Sequence, residues 1–133
     1  RGSINMAEFN VTGRMDEKSL RLECSGSLVY EVSTQAREQV RPYFEKLTEG
    51  SCCLFMMDKL KRIDSTGFGV LIHFVRQAAS RKIKLAVVVS DPFILDLFRI
   101  AKFDQIMTVA PDETSALQAL TDERPLPLSP QEY

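Results

Sequence analysis

The sequence has no tryptophan, one histidine and three cysteines. A lone His73, with no cysteine near it and no serine in a nucleophile-elbow motif, leaves no visible base for hydrolytic chemistry. His73 reads instead as a surface residue beside an apolar stripe. Cys24, Cys52 and Cys53 are odd in number, two of them are adjacent, and none has the spacing of a zinc site. They read as small buried side chains in a reducing compartment, so no metal site and no cofactor are expected. A basic excess is lacking too: net charge is −1, which argues against a nucleic acid as direct partner. No apolar run approaches the ~20 residues of a membrane span, and nothing looks like a signal peptide. The expected location is the cytoplasm. A phosphate-cradling Gly-x-x-x-x-Gly-Lys-Ser/Thr loop is missing, and Gly67-x-Gly69 alone is a weak signal.

What is present is an ordinary globular composition. The chain has 133 residues, 44% apolar and 26% charged, as expected for one domain with a real core. Arg1-Gly2-Ser3 reads as a tag remnant, and residues 1–7 as a lead outside the domain. Everything turns on the stretch from Cys52 to Gly69. Cys52 to Met57 is a short unbroken apolar run, which suits a strand buried on both faces. Phe68, Leu71, Ile72, Val75, Ala78 and Ala79 then recur at helical spacing. The polar segment from Asp58 to Asp64 is therefore expected to be a strand-to-helix loop. It ends in two hydroxyls, Ser65 and Thr66, at a helix start, where the helix dipole favours negative charge.

Before this stretch, residues 8–11 and 18–24 alternate and are expected to pair as a hairpin around a turn at 13–17. Ser25-Gly26-Ser27 breaks the alternation. Ser33 or Thr34 is a candidate cap for a helix whose apolar face is Ala36, Val40, Phe44 and Leu47. Pro42 should kink that helix or end its regular part. After the central helix, Ile83 to Val89 is a second strongly β-prone run. Asp91 and Pro92 mark a firm helix start, with Phe93, Ile94, Leu97, Phe98 and Ala101 as its stripe. A short strand is expected over 105–109, and a last helix from Asp112 carrying Ala116, Leu117 and Leu120. Three prolines after Arg124 argue for a disordered tail over 122–133. Strands and helices alternate, which implies an α/β domain over 8–121: a mixed sheet of about five strands, opened by the hairpin, with about four helices.

The central motif admits several chemistries. Asp64-Ser65-Thr66-Gly67 has one residue too many for the aspartic-protease signature, and the α/β pattern is wrong for it. A receiver-type phosphoacceptor would need an acidic pair on the opening strand, which is missing beside Asp58. Ser65 or Thr66 as an enzyme nucleophile lacks a base. The plain reading makes Asp58 and Asp64 holders of backbone N–H groups, and Ser65 and Thr66 simple caps.

The segment from Phe55 through Asp58, Ile63-Asp64-Ser65-Thr66-Gly67-Phe68-Gly69 and Leu71 resembles the core signature of STAS domains. It is most similar to the bacterial anti-sigma factor antagonists. Gly26-Ser27-Leu28, the run from Lys84 to Val89, and Leu97 to Asp104 add weaker matches in the right order. The resemblance implies a non-enzymatic binding protein in a partner-switching pathway. The unphosphorylated form would bind an anti-sigma factor that is also a serine/threonine kinase with a GHKL-type ATP site. Phosphorylation would release it, and a PP2C-type phosphatase would reset it. Carried over, Thr66 matches the phosphoacceptor, with Ser65 as second choice. Asp58, Asp64, Ser65, Gly67 and Gly69 support the acceptor site, and Ser27, Leu28, Arg62, Asp64, Ser65, Thr66 and Phe68 would meet the partner. Two positions depart from the pattern: Thr66 stands where Ser is commoner, and Val29 where many members carry Asp. The alternative within the family is a STAS subunit of a lipid-transport or stress-sensing assembly that never exchanges phosphate.

Overall fold

The computed structural model describes residues 8–121. The expectations for the lead at 1–7 and the tail at 122–133 lie outside the described residues. The chain opens with two antiparallel strands, β1 (Phe9–Asp16) and β2 (Ser19–Leu28). The expected broad turn at 13–17 is instead strand almost to its end, because the reversal is tight and Glu17 takes a positive φ of 53°. Strand β2 also runs straight through Ser25-Gly26-Ser27. The break seen in the sequence is a local irregularity, with Gly26 at φ 88°.

A 3-10 turn (Tyr30–Val32) then leads into α1 (Ser33–Glu45). Neither Ser33 nor Thr34 caps this helix: Val32 holds the cap position, and Ser33 Oγ donates back to the Tyr30 carbonyl at 3.1 Å. The preceding turn already occupies the place a capping side chain would fill. Pro42 lies inside α1 without ending it, since only the last turn follows it. Strand β3 (Cys52–Ile63), helix α2 (Ser65–Arg81), strand β4 (Lys84–Val88), helix α3 (Pro92–Ile100), strand β5 (Thr108–Ala110) and helix α4 (Glu113–Thr121) complete the domain. A second 3-10 turn (Phe103–Gln105) takes in Gln105, so the short strand expected over 105–109 begins only at Thr108.

The sheet order is β1-β2-β3-β4-β5, with every pair after the hairpin parallel. This is the mixed five-strand sheet with four helices that the alternation implies. The period of two splits its strands between two layers. Cys53, Phe55 and Met57 of β3, with Leu85 and Val87 of β4, face the core under α1, α2 and α3. Leu54 of β3 and Ala86 and Val88 of β4 face the other way, onto Ala116, Leu117 and Leu120 of α4.

Candidate functional site

Strand β3 does not stop at Met57. The segment read as a loop, Asp58 to Ile63, continues the strand against β2, while β4 pairs only as far as Met56. The reason it looks like a loop is a pair of bulges. Between Glu23 and Ser25 of β2 the partner advances from Met56 to Lys59, and between Gly26 and Ser27 it advances from Leu60 to Arg62. Each step inserts one extra residue into β3, and each resets which side chains point inward. Burial therefore falls on Met57, Leu60 and Ile63, every third residue, with Lys59, Lys61 and Arg62 exposed. The bulged end carries the chain to the start of α2.

Two carboxylates fix this corner. Asp64 is the N-cap of α2: its Oδ1 accepts from the Gly67 N–H at 2.9 Å. Its Oδ2 accepts from the Tyr30 N–H at 3.1 Å, tying the start of α2 to the turn before α1. Asp58 works across the sheet top. Its Oδ1 accepts from the Ser90 N–H at 2.6 Å, the Ser90 hydroxyl at 3.1 Å and the Asp91 N–H at 3.2 Å. Asp91 in turn caps α3 by accepting from the Ile94 N–H at 3.0 Å. Both acids thus hold backbone N–H groups, the plain role expected for them.

The two glycines of the motif differ. A Cβ on Gly67 would fall on the Leu28 carbonyl oxygen, so α2 reaches the end of β2 only with glycine there. The Asp64 N–H donates to that same carbonyl at 3.3 Å. Gly69 is exposed, and a Cβ there would meet nothing within 4 Å. The contact at Gly67 also sets the rotation of α2. Its buried face is Gly67, Val70, Leu71, Phe74 and Ala78: of the face read from spacing, Leu71 and Ala78 are buried, while Phe68, Ile72 and Val75 are half-buried and Ala79 is exposed. Phe68 is half-buried on the flank, edge-on to Phe98 at 5.0 Å and 5.5 Å from Phe103. The stripe of α3 is likewise narrower than expected, with Ile94 and Phe98 buried and Phe93 63% exposed.

Ser65 is exposed and Thr66 half-buried, and neither hydroxyl has a hydrogen-bond partner among the described residues. Arg62 lies near them in sequence, and its Nε donates to the Ser27 hydroxyl at a long 3.4 Å. Ser27 and Leu28 do not offer their side chains to a partner as expected from the resemblance: both are buried, and Leu28 forms the floor under Gly67. Val29 is buried and lines a pocket of about 410 Å³ with Glu31, Arg62, Ile63, Asp64, Phe93 and Leu97. Sequence reasoning did not connect Tyr30, Glu31 or Ser90 with this corner, and it placed Phe93 in the apolar stripe of α3. Their link to the corner is made by contacts more than thirty residues apart, for which the local sequence carries no signal. His73 is half-buried rather than a surface residue, edge-on to Phe74. Its pKa is held below the ordinary value by burial first, then by the charges of Arg37 and Arg41.

A strand whose apolar run leads into Asp58, a helix capped by Asp64 and the order of elements meet in one comparison: the STAS domain model matches residues 8–116. The chain belongs to the STAS domain family. Solved structures agree on the fold. An anti-sigma factor antagonist from Mycobacterium paratuberculosis superposes with a TM-score of 0.74 at 12% identity, covering 86% of this chain and 96% of that one. The anti-sigma factor antagonist SpoIIAA in its unphosphorylated form gives 0.58 at 12% identity, over 88% and 100%. The Bacillus cell fate determinant SpoIIAA in its phosphorylated form gives 0.52 at 16% identity, over 83% and 98%. A comparison with curated proteins gives no match. Among the described residues of this STAS domain, no helix is long and apolar enough to cross a membrane.

Proposed function

We propose that this STAS domain is an anti-sigma factor antagonist of a cytoplasmic partner-switching pathway, acting by binding rather than by catalysis. In its unphosphorylated form it binds an anti-sigma factor with a GHKL-type kinase fold. Phosphorylation at Thr66 releases it, and a PP2C-type phosphatase restores it. The observation that carries this reading is the pair of unbonded hydroxyls of Ser65 and Thr66, standing at a helix start whose cap, Asp64, is fixed on both of its oxygens. A structural neighbour of the same fold exists in unphosphorylated and phosphorylated forms. The choice of Thr66 over the more exposed Ser65 rests on its place in the family motif.

The physics of the switch is local. A phosphate adds about −1.5 to −2 charges at the helix N-terminus. The helix end favours that charge by up to ~2 kcal/mol, so the fold should persist. The cost falls on the partner. A dianion ~6 Å from one partner carboxylate, at an effective dielectric of ~40, is repelled by roughly 2–3 kcal/mol. That weakens binding by about 30- to 150-fold before any steric clash. The test is binding to the cognate anti-sigma kinase by calorimetry. Thr66→Glu should keep its circular dichroism and melting temperature and lose affinity, while Thr66→Ala should bind and not be released by ATP. A Thr66→Glu protein that binds as tightly as wild type rejects Thr66 as the switch.

A further inference from the structure

Among the described residues, strand β1 pairs with β2 on one side and has no strand beside it on the other. The Glu8 carbonyl accepts from the Ser27 N–H on β2, so the even-numbered residues of β1 direct their backbone groups toward β2. By the alternation of an antiparallel ladder, Phe9, Val11, Gly13 and Met15 direct theirs outward. Edge strands usually deter strand addition with a charge, a proline or short length. Strand β1 is eight residues long, and from Phe9 to Gly13 it has neither charge nor proline. The opposite edge, β5, is three residues long.

The protection comes from α1 instead. Gln39 Nε2 donates to the Phe9 carbonyl at 2.8 Å, and Gln39 Oε1 accepts from the Val11 N–H at 3.1 Å. A donor to residue 9 and an acceptor from residue 11 are the two bonds that a residue in a parallel neighbouring strand would make around Asn10. One turn further along α1, Tyr43 lies against Gly13, where an added Cβ would enter its ring. The helix thus covers the uncharged part of the edge with one amide and one aromatic ring.

We propose that the Gln39 amide is a plug in the β1 edge, and that removing it lets β1 of a second copy add to the sheet. Two identical edges brought together about a two-fold axis pair antiparallel, and each offers the same uncharged run from Phe9 to Gly13. The inference does not rest on the sigma-factor reading, because it uses only the backbone of β1 and two side chains of α1.

The test compares wild type, Gln39→Ala and Gln39→Met by sedimentation velocity over a concentration series, with amide hydrogen exchange at Val11 and Gly13. Methionine keeps the packing of the side-chain stem without the amide, which covers the case in which alanine loosens α1. Wild type should remain a monomer with a protected Val11 amide. Both variants should expose Val11 at low concentration. At high concentration they should move toward a dimer as Val11 and Gly13 become protected again. Adding Val11→Pro to either variant should return it to a monomer, since proline on an outward-facing edge position cannot donate. Variants that stay monomeric wherever wild type does, or that associate with Val11 and Gly13 still exchanging freely, would overturn the proposal.

Discussion

The two halves of β3 have the same backbone class and opposite roles. From Cys52 to Met56 the strand is paired on both sides, and its side chains alternate strictly between two cores. From Asp58 to Ile63 it is paired on one side, bulged twice, and exposes three cations. The first half is built for stability. The second has given up regular pairing so that Asp58 can hold the start of α3 and Asp64 the start of α2. The difference teaches where tolerance should lie: substitutions in the regular half should cost stability in proportion to buried volume. In the bulged half and the corner it leads to, they should cost the specific contact they remove.

The largest effect expected is in the regular half. Phe55 is 1% exposed, so Phe55→Ala should lose about 3–5 kcal/mol in urea unfolding. A loss under ~1 kcal/mol would mean that the doubly paired half is not the mechanical centre. Next is Gly67→Ala. The new methyl meets the Leu28 carbonyl, so α2 must shift, at about 1–3 kcal/mol as for an overpacked site. An unchanged melting temperature would show that the approach of α2 to β2 is slack. Asp64→Ala removes the acceptor of two backbone N–H groups and should cost about 0.5–2 kcal/mol. Asp64→Asn should recover part of it. If the alanine variant is as stable as wild type, the carboxylate is not what fixes the corner.

Gly69→Ala points the other way. With open space around it and no contact to break, the exposed helix position should gain up to ~1 kcal/mol. A loss there would contradict the contrast between the two glycines. The smallest effect is electrostatic. His73 has a folded-state pKa below its ordinary value of 6.5. The unfolded chain therefore binds its proton first, and the stability this contributes is full above that value and declines as pH falls below it. His73→Gln should flatten that part of the stability-pH profile, and a profile unchanged by the substitution would show that the depressed pKa does not bear on stability.

The regular half of β3 was legible because its apolar run is continuous, and so were β4 and the Asp91-Pro92 start of α3. The bulged half was not. Two inserted residues turn a period of two into a period of three, and Lys59, Lys61 and Arg62 then read as loop. The face of α2 was misjudged for a related reason. Spacing picked out Leu71 and Ala78 correctly but also Phe68, Ile72, Val75 and Ala79, and it missed Val70 and Phe74, which the touch of Gly67 on Leu28 turns inward. The motif from Asp58 to Gly69 was visible as a motif. What each acid holds was not, because Tyr30 and Ser90 lie more than thirty residues away. The missed cap of α1 belongs to the same class, since a 3-10 turn from Tyr30 to Val32 replaces the side-chain cap.

The proposal that Thr66, at the corner to which the bulged half leads, is the phosphorylated switch is tested most directly by locating the phosphate. Wild-type protein incubated with ATP and the GHKL-type kinase that the proposal assigns to it, then fragmented in a mass spectrometer, should carry one phosphate, on Thr66, and Ser65→Ala should carry it equally. A phosphate on Ser65, or none on either residue, would contradict the account.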